Sequence, residues 1–194
     1  HAKDRRQRQM CIRDSNIIRK RRSVFPVQFN GEKIDDSIIN EIIFNANTAP
    51  THKITQPWLF KIFSKDSKIK LANEILKLKY GQDVPENEKR NFINKFNLSS
   101  HIICICLNRS EEHFIPEWEE ISALAMSVQN MWLTCSANEI GCYWSSPKII
   151  SDLDIFLDLD DNQRCLGLFY IGKYDSLPER NLKKKGINEI SQWI

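Results

Sequence analysis

The sequence predicts one α+β domain, a sheet flanked by helices. Three observations carry that reading. Helical and strand-like patterns are interspersed along the chain, the strands are few, and two of them are short runs of almost wholly apolar residues, as in strands buried on both faces. At 194 residues the chain suits a single domain large enough to bury a core. A 41% hydrophobic and 10% aromatic content fits a soluble globular protein. No apolar run approaches the roughly 18–20 residues of a membrane span. No signal-like apolar segment opens the chain, so a cytoplasmic location is expected.

The elements follow in order. "NIIRKRRSVF" begins the ordered part as an amphipathic helical turn ending in a basic cluster. Asp35 or Asp36 can cap a helix through "SIINEIIFNAN", where Ile38, Ile39, Ile42 and Ile43 keep a 3.6-residue period. "WLFKIF" reads as a strand of aromatic and β-branched residues. "SKIKLANEILKLKY" is a second amphipathic helix closed by Gly81, and "DVPENEKRNFINKF" a third with Pro85 near its first turn. "HIICICLN" is a strand buried on both faces. Pro116 to Glu139 carries the longest helical pattern, with Ile121, Leu124, Ala125, Val128, Met131, Trp132 and Cys135 at three-and-four spacing. A helix this long and apolar runs through the core or forms a subunit interface. "IGCYW" is a strand, residues 147–157 a helix, and "RCLGLFYIGKY" a last apolar strand. The polar tail ends in "ISQWI", whose Trp193 and Ile194 are expected to dock on something.

Charge and cysteines exclude several function classes. The formal net charge is +3, yet residues 1–15 contribute +3 by themselves, with five Lys/Arg and two Asp. The remaining 179 residues are neutral, so no nucleic-acid surface is implied. The leader lacks apolar periodicity. It has the character of an extraneous or mistranslated extension or of a disordered basic tail, and both readings set it aside from the domain at 16–194. None of the six cysteines forms a C-x-x-C pair and most sit in apolar runs, which reads as buried free thiols. Cys104 and Cys106 alternate onto one face of their strand.

Glycine-rich phosphate loops, nucleophile elbows and H-E-x-x-H metal motifs are absent, and the four histidines lie far apart. Any enzyme chemistry would rest on a cofactor. Three islands stand out. Arg21, Arg22 and Ser23 suit a phosphate, because guanidinium groups donate in rigid forks; a solvated basic helix end is the alternative. In "APTHKITQPW", Pro50 and Pro57 stiffen a loop presenting Thr51, His52 and Gln56, which suits a planar polar ligand or a plain capped loop. In "GCYWSSP", Trp144, Ser145 and Ser146 could face a ligand, or a serine could cap the helix after Pro147.

In this order, "RRS", "APTHKITQPWLF", the long helix with "QNMWL" and "CLGLFYIGK" resemble the FMN-dependent nitroreductase family. The similarity runs from about Asn16 to Trp193 and looks closest to the short single-domain branch of NAD(P)H nitroreductases. Each motif alone is weak; four in the right order are specific. The resemblance implies a mostly antiparallel sheet flanked by helices, in an intertwined homodimer with FMN at the subunit interface. It implies that Arg21, Arg22 and Ser23 hold the phosphate side of FMN. Thr51 and His52, with Thr48 and Pro50, would reach the flavin of the other subunit. Trp144, Ser145 and Ser146 would lie along its ring, and the C-terminal tail would embrace the partner. Residues 134–139 match a region linked to the nicotinamide cofactor.

The implied activity is ping-pong transfer of hydride from NADH or NADPH, through FMN, to nitroaromatic, quinone or similar planar acceptors. Alternatives on the same fold are a dehydrogenase, a reductive dehalogenase or a non-catalytic flavin-binding module. Two positions depart from the family pattern: Ser145, where close relatives carry Arg, and Ile54, where the wider family often has Asn.

Overall fold

A computed structural model describes residues 15–110, 114–179 and 183–194. The calls on the leader's first fourteen residues, on Cys11 and on Arg180 therefore lie outside the described residues. Residues 15–20 are helical and form α1. They are followed by α2 (Asp36–Ala46), β1 (Trp58–Ser64), α3 (Lys65–Tyr80), α4 (Glu86–Leu98), β2 (His101–Asn108), α5 (Glu117–Ala137), β3 (Gly141–Ser145), α6 (Asp154–Leu157), β4 (Gln163–Gly172) and α7 (Ile187–Ile190). The strands pair antiparallel throughout in the order β1-β2-β4-β3.

Local chemistry sets the boundaries. Asp35 caps α2, its carboxylate accepting from the Ser37 N–H at 2.9 Å. Gly81, at φ +67°, stops α3 in a conformation that glycine adopts without strain. Three glutamates in the first turn of α5 complement its N-terminal partial charge.

The central strand β2 explains the layering. Ile102, Cys104 and Cys106 face a core built with Leu71, Ile75 and Phe96 of α3 and α4. Ile103, Ile105 and Leu107 face the other core, with Ile39 and Ile42 of α2 and Leu124, Val128 and Met131 of α5. Alternation thus buries a wholly apolar strand between two helical layers. The five described cysteines are free and buried, and hydrogen bonding to Cys165 together with burial pushes the Cys104 and Cys106 thiols up.

Three details differ from the sequence reading. Residues 147–157 are not one helix: a 3-10 turn, Lys148–Asp152, precedes the single turn of α6. Ala125 points outward, because the buried face of α5 follows 123, 124, 127, 128 and 131. Trp193 and Ile194 are fully exposed, so a single chain gives the tail's end no dock. No described helix is long and apolar enough to cross a membrane.

Candidate functional site

The basic island lies along the free edge of β3. The Val24 N–H donates to the Cys142 carbonyl at 3.0 Å, and the Phe25 and Tyr143 rings are 4.6 Å apart. The guanidinium of Arg21 sits 4.9 Å from the Trp132 ring centroid, a cation–π geometry. Arg22 is half-buried and donates from Nη1 to the Pro178 carbonyl at 2.8 Å. These are not solvated arginines at a helix end. The two islands expected to meet a ligand, 21–23 and 144–146, are therefore neighbours in one chain.

Trp144 is seated by a close approach. It pairs with Phe169 across β4, and Trp132 meets Phe169 edge-on at 5.6 Å. A Cβ at Gly167 would come within 2.2 Å of Trp144 Nε1, so only glycine leaves room for the indole. Leu166 is the extra residue of a bulge between Ile105 and Cys106 and their partners Gly167 and Cys165. Neither serine caps a helix: Ser145 ends β3, and the following turn has Pro147 at its cap. Among the described residues, the hydroxyls of Ser23, Ser145 and Ser146 have no hydrogen-bond partner.

The third island is held elsewhere. Asn47 Oδ1 accepts from Gln56 Nε2 at 3.2 Å and from Trp58 Nε1 at 2.9 Å, which pins both ends of the loop. Thr51 and Thr55 share a hydroxyl contact of 2.9 Å, and Asn130 of α5 donates to Thr48 at 3.4 Å. His52 Nδ1 hydrogen-bonds the Glu119 carboxylate. Pro50, His52 and Gln56 are exposed. Lys53, Ile54 and Gln56 hold φ of 49°, 57° and 45°, so the loop stores backbone strain, a feature that clusters at ligand sites.

The loop and the Trp144 island stand apart in one chain. The loop feeds β1 at one edge of the sheet and Trp144 lies on β3 at the other, about 14 Å away across three strand spacings. Along α5, His52 contacts residue 119 while Arg21 covers residue 132, about 20 Å further on. The sequence reading missed Asn47, Glu119 and Trp132. Asn47 read as the last residue of a helix and Trp132 as part of an apolar helix face; only the tertiary partners reveal them.

Among the described residues the buried side-chain polar atoms without a partner are Arg22 Nε, Trp132 Nε1 and Trp144 Nε1. Two belong to the predicted flavin contacts and the third lies under Arg21. Buried donors are normally satisfied, so this edge of the sheet carries unmet hydrogen-bond donors. A depression of about 820 Å³ lies elsewhere, beside Glu139 and Asp175. Five carboxylates against two lysines make it a poor host for a phosphate-bearing ligand.

A family model described as "Nitroreductase family" matches residues 18–173. The chain belongs to the nitroreductase family. It is 28% identical over 169 residues, 84% of this chain and 86% of the other, to the "Putative NAD(P)H nitroreductase YfhC" of Bacillus subtilis strain 168. The nitroreductase-like fold recurs in a family protein from Bacillus cereus, with a TM-score of 0.82, 24% identity and coverage of 93% and 95% of the two chains. It recurs in the FMN-dependent nitroreductase NfnB from Mycobacterium smegmatis, solved with NADPH, at a TM-score of 0.71, 15% identity and coverage of 94% and 99%.

Proposed function

We propose that this nitroreductase-family chain is an FMN-dependent oxidoreductase. It takes hydride from NADH or NADPH and passes electrons, in ping-pong fashion, to planar acceptors such as nitroaromatics or quinones. The observation that carries the reading is the cluster of unpartnered donors at Arg22, Trp132 and Trp144 beside free serine hydroxyls. When bound, FMN supplies the two-electron carrier, so no residue needs to act as nucleophile or metal ligand. Arg21, Arg22 and Ser23 hold the phosphate side by charge-assisted hydrogen bonds. Trp144, Ser145 and Ser146 line the ring, and the apolar wall of Trp132 and Phe169 excludes water behind it. Gln56 acts through Asn47, holding the loop in the shape that offers Thr51 and His52.

The separation of the two half-sites supports a homodimer in which Thr48, Pro50, Thr51 and His52 of one chain complete the site of the other. The outer face of α5 supports the same reading, since Trp118 and Met126 are exposed there beside Ala125. The first test is spectral. The purified protein, supplied with FMN, should show bound flavin absorbance that NADH or NADPH bleaches without oxygen, and Arg22→Ala should release the flavin. Absence of flavin uptake would overturn the proposal. The shared site has its own test. Co-expressed Arg22→Ala and His52→Ala chains form hybrids with one intact site, restoring about a quarter of the wild-type activity. A mixture as inactive as either variant alone would place both half-sites in one chain.

A further inference from the structure

A cavity of about 180 Å³ lies at the other end of the sheet. Its position is set by Ser64 pairing with His101, six residues along β1 from Trp58, or about 20 Å from the Gln56 loop. Its floor is Lys68, which is 8% exposed and donates to the Ser99 carbonyl. Lys33 and Lys65 stand at the rim, and Ser100 and Asn97 add polar groups. Among the described residues the single carboxylate in the lining, Asp36, is taken up by His101 at 3.2 Å and lies outside ion-pair distance of Lys68. Three lysines against one aspartate leave the cavity electropositive. A buried ammonium with no counter-ion is costly unless something supplies the opposite charge. Burial also lowers the Lys68 pKa, and Lys68 in turn disfavours the charged form of His101. The volume equals about six waters, room for a tetrahedral oxyanion with part of its hydration.

We propose that this cavity is an oxyanion site that takes inorganic phosphate or the phosphate of a small monoester, with Lys68 as its counter-ion. The site is separate from the flavin reading. Its test uses protein saturated with FMN, so that any flavin-phosphate site is filled. Calorimetric titration with inorganic phosphate, against chloride of equal ionic strength, should give one saturable site per chain. Losing a charge-assisted hydrogen bond in Lys68→Met should weaken binding about tenfold or more, with flavin absorbance unchanged. Lys65→Gln, at the exposed rim, should weaken it severalfold and serves as the deciding variant if Lys68→Met does not fold. Methyl phosphate binding as tightly as phosphate would identify a monoester headgroup; phosphate alone would identify the free ion. No saturable heat above chloride, or equal affinity in wild type and the folded variant, would overturn the proposal. Flavin content is read separately by absorbance, so failure here and failure of the flavin reading are distinguishable.

Discussion

Ile54→Asn should stabilise the protein. Ile54 holds φ 57° in the middle of the loop yet is 78% exposed, so its side chain contributes little burial. A β-branched residue in the left-handed region costs about 1–2 kcal/mol, whereas Asn tolerates it through local hydrogen bonds. Full burial of an isoleucine is worth about 1.5–3 kcal/mol, so the roughly one-fifth of Ile54 that is covered offsets only about 0.5 kcal/mol. The net gain is then about 0.5–1.5 kcal/mol. With a urea m-value of about 2 kcal/mol/M for a domain of this size, the midpoint should rise by about 0.25–0.75 M. Urea unfolding followed by far-UV circular dichroism, at one fixed protein concentration, reads it. A midpoint that is unchanged or lower would refute the claim that backbone strain outweighs burial at this position.

Gly167→Ala forces a methyl to within 2.6 Å of the Ser145 carbonyl and closer still to the Trp144 indole. Because backbone cannot give as a side chain can, a loss of about 1–3 kcal/mol is expected, together with weaker FMN retention; equal urea midpoints and equal flavin content would contradict it. The pKa of His101 is lowered, chiefly by burial, with Asp36 acting in the opposite sense. The neutral ring therefore supports the fold above the unfolded value of about 6.5, and stability is lost as pH falls through the lower folded value. His101→Gln should flatten that step in a series of urea midpoints from pH 8 to 5, and an identical step in the variant would assign it elsewhere. Met126→Glu should give monomers in sedimentation and release flavin, whereas an intact dimer would move the subunit contact off the outer face of α5.

The fold was legible where burial on two faces removes ambiguity. "IICICL" has no charged or amide residue to mark a face, so it had to lie between two layers, and it does. Boundaries marked by chemistry, Asp35 and Gly81, were legible for the same reason: each residue type has a local role there. The segment 147–157 was not. Its apolar residues Ile150, Leu153 and Leu157 keep helical spacing and are buried, yet the chain ends in a left-handed residue at Asp158, φ 52°. Spacing records which side chains face inward, and both a 3-10 turn and an α-turn satisfy it.

For the candidate site, residue types were legible and their grouping was not. Two arginines, a tryptophan and three serines suggested a polar ligand by composition. Their neighbourhood depends on Val24 bonding to Cys142 of β3, more than a hundred positions away. The loop at 48–56 shows the converse. Its prolines suggested stiffness, but what fixes it is one amide oxygen, Asn47 Oδ1, shared by Gln56 and Trp58. Gln56 and Trp58 flank Pro57, which has no N–H to contribute. The Q-P-W triplet thus reads as two donors for one acceptor across a rigid spacer. A ligand contact at Thr51 or His52 can then be conserved in position while the residues that hold it never touch the ligand. Replacing Asn47 by Leu, which leaves both donors unpaired, should therefore disturb flavin retention as strongly as removing His52 itself.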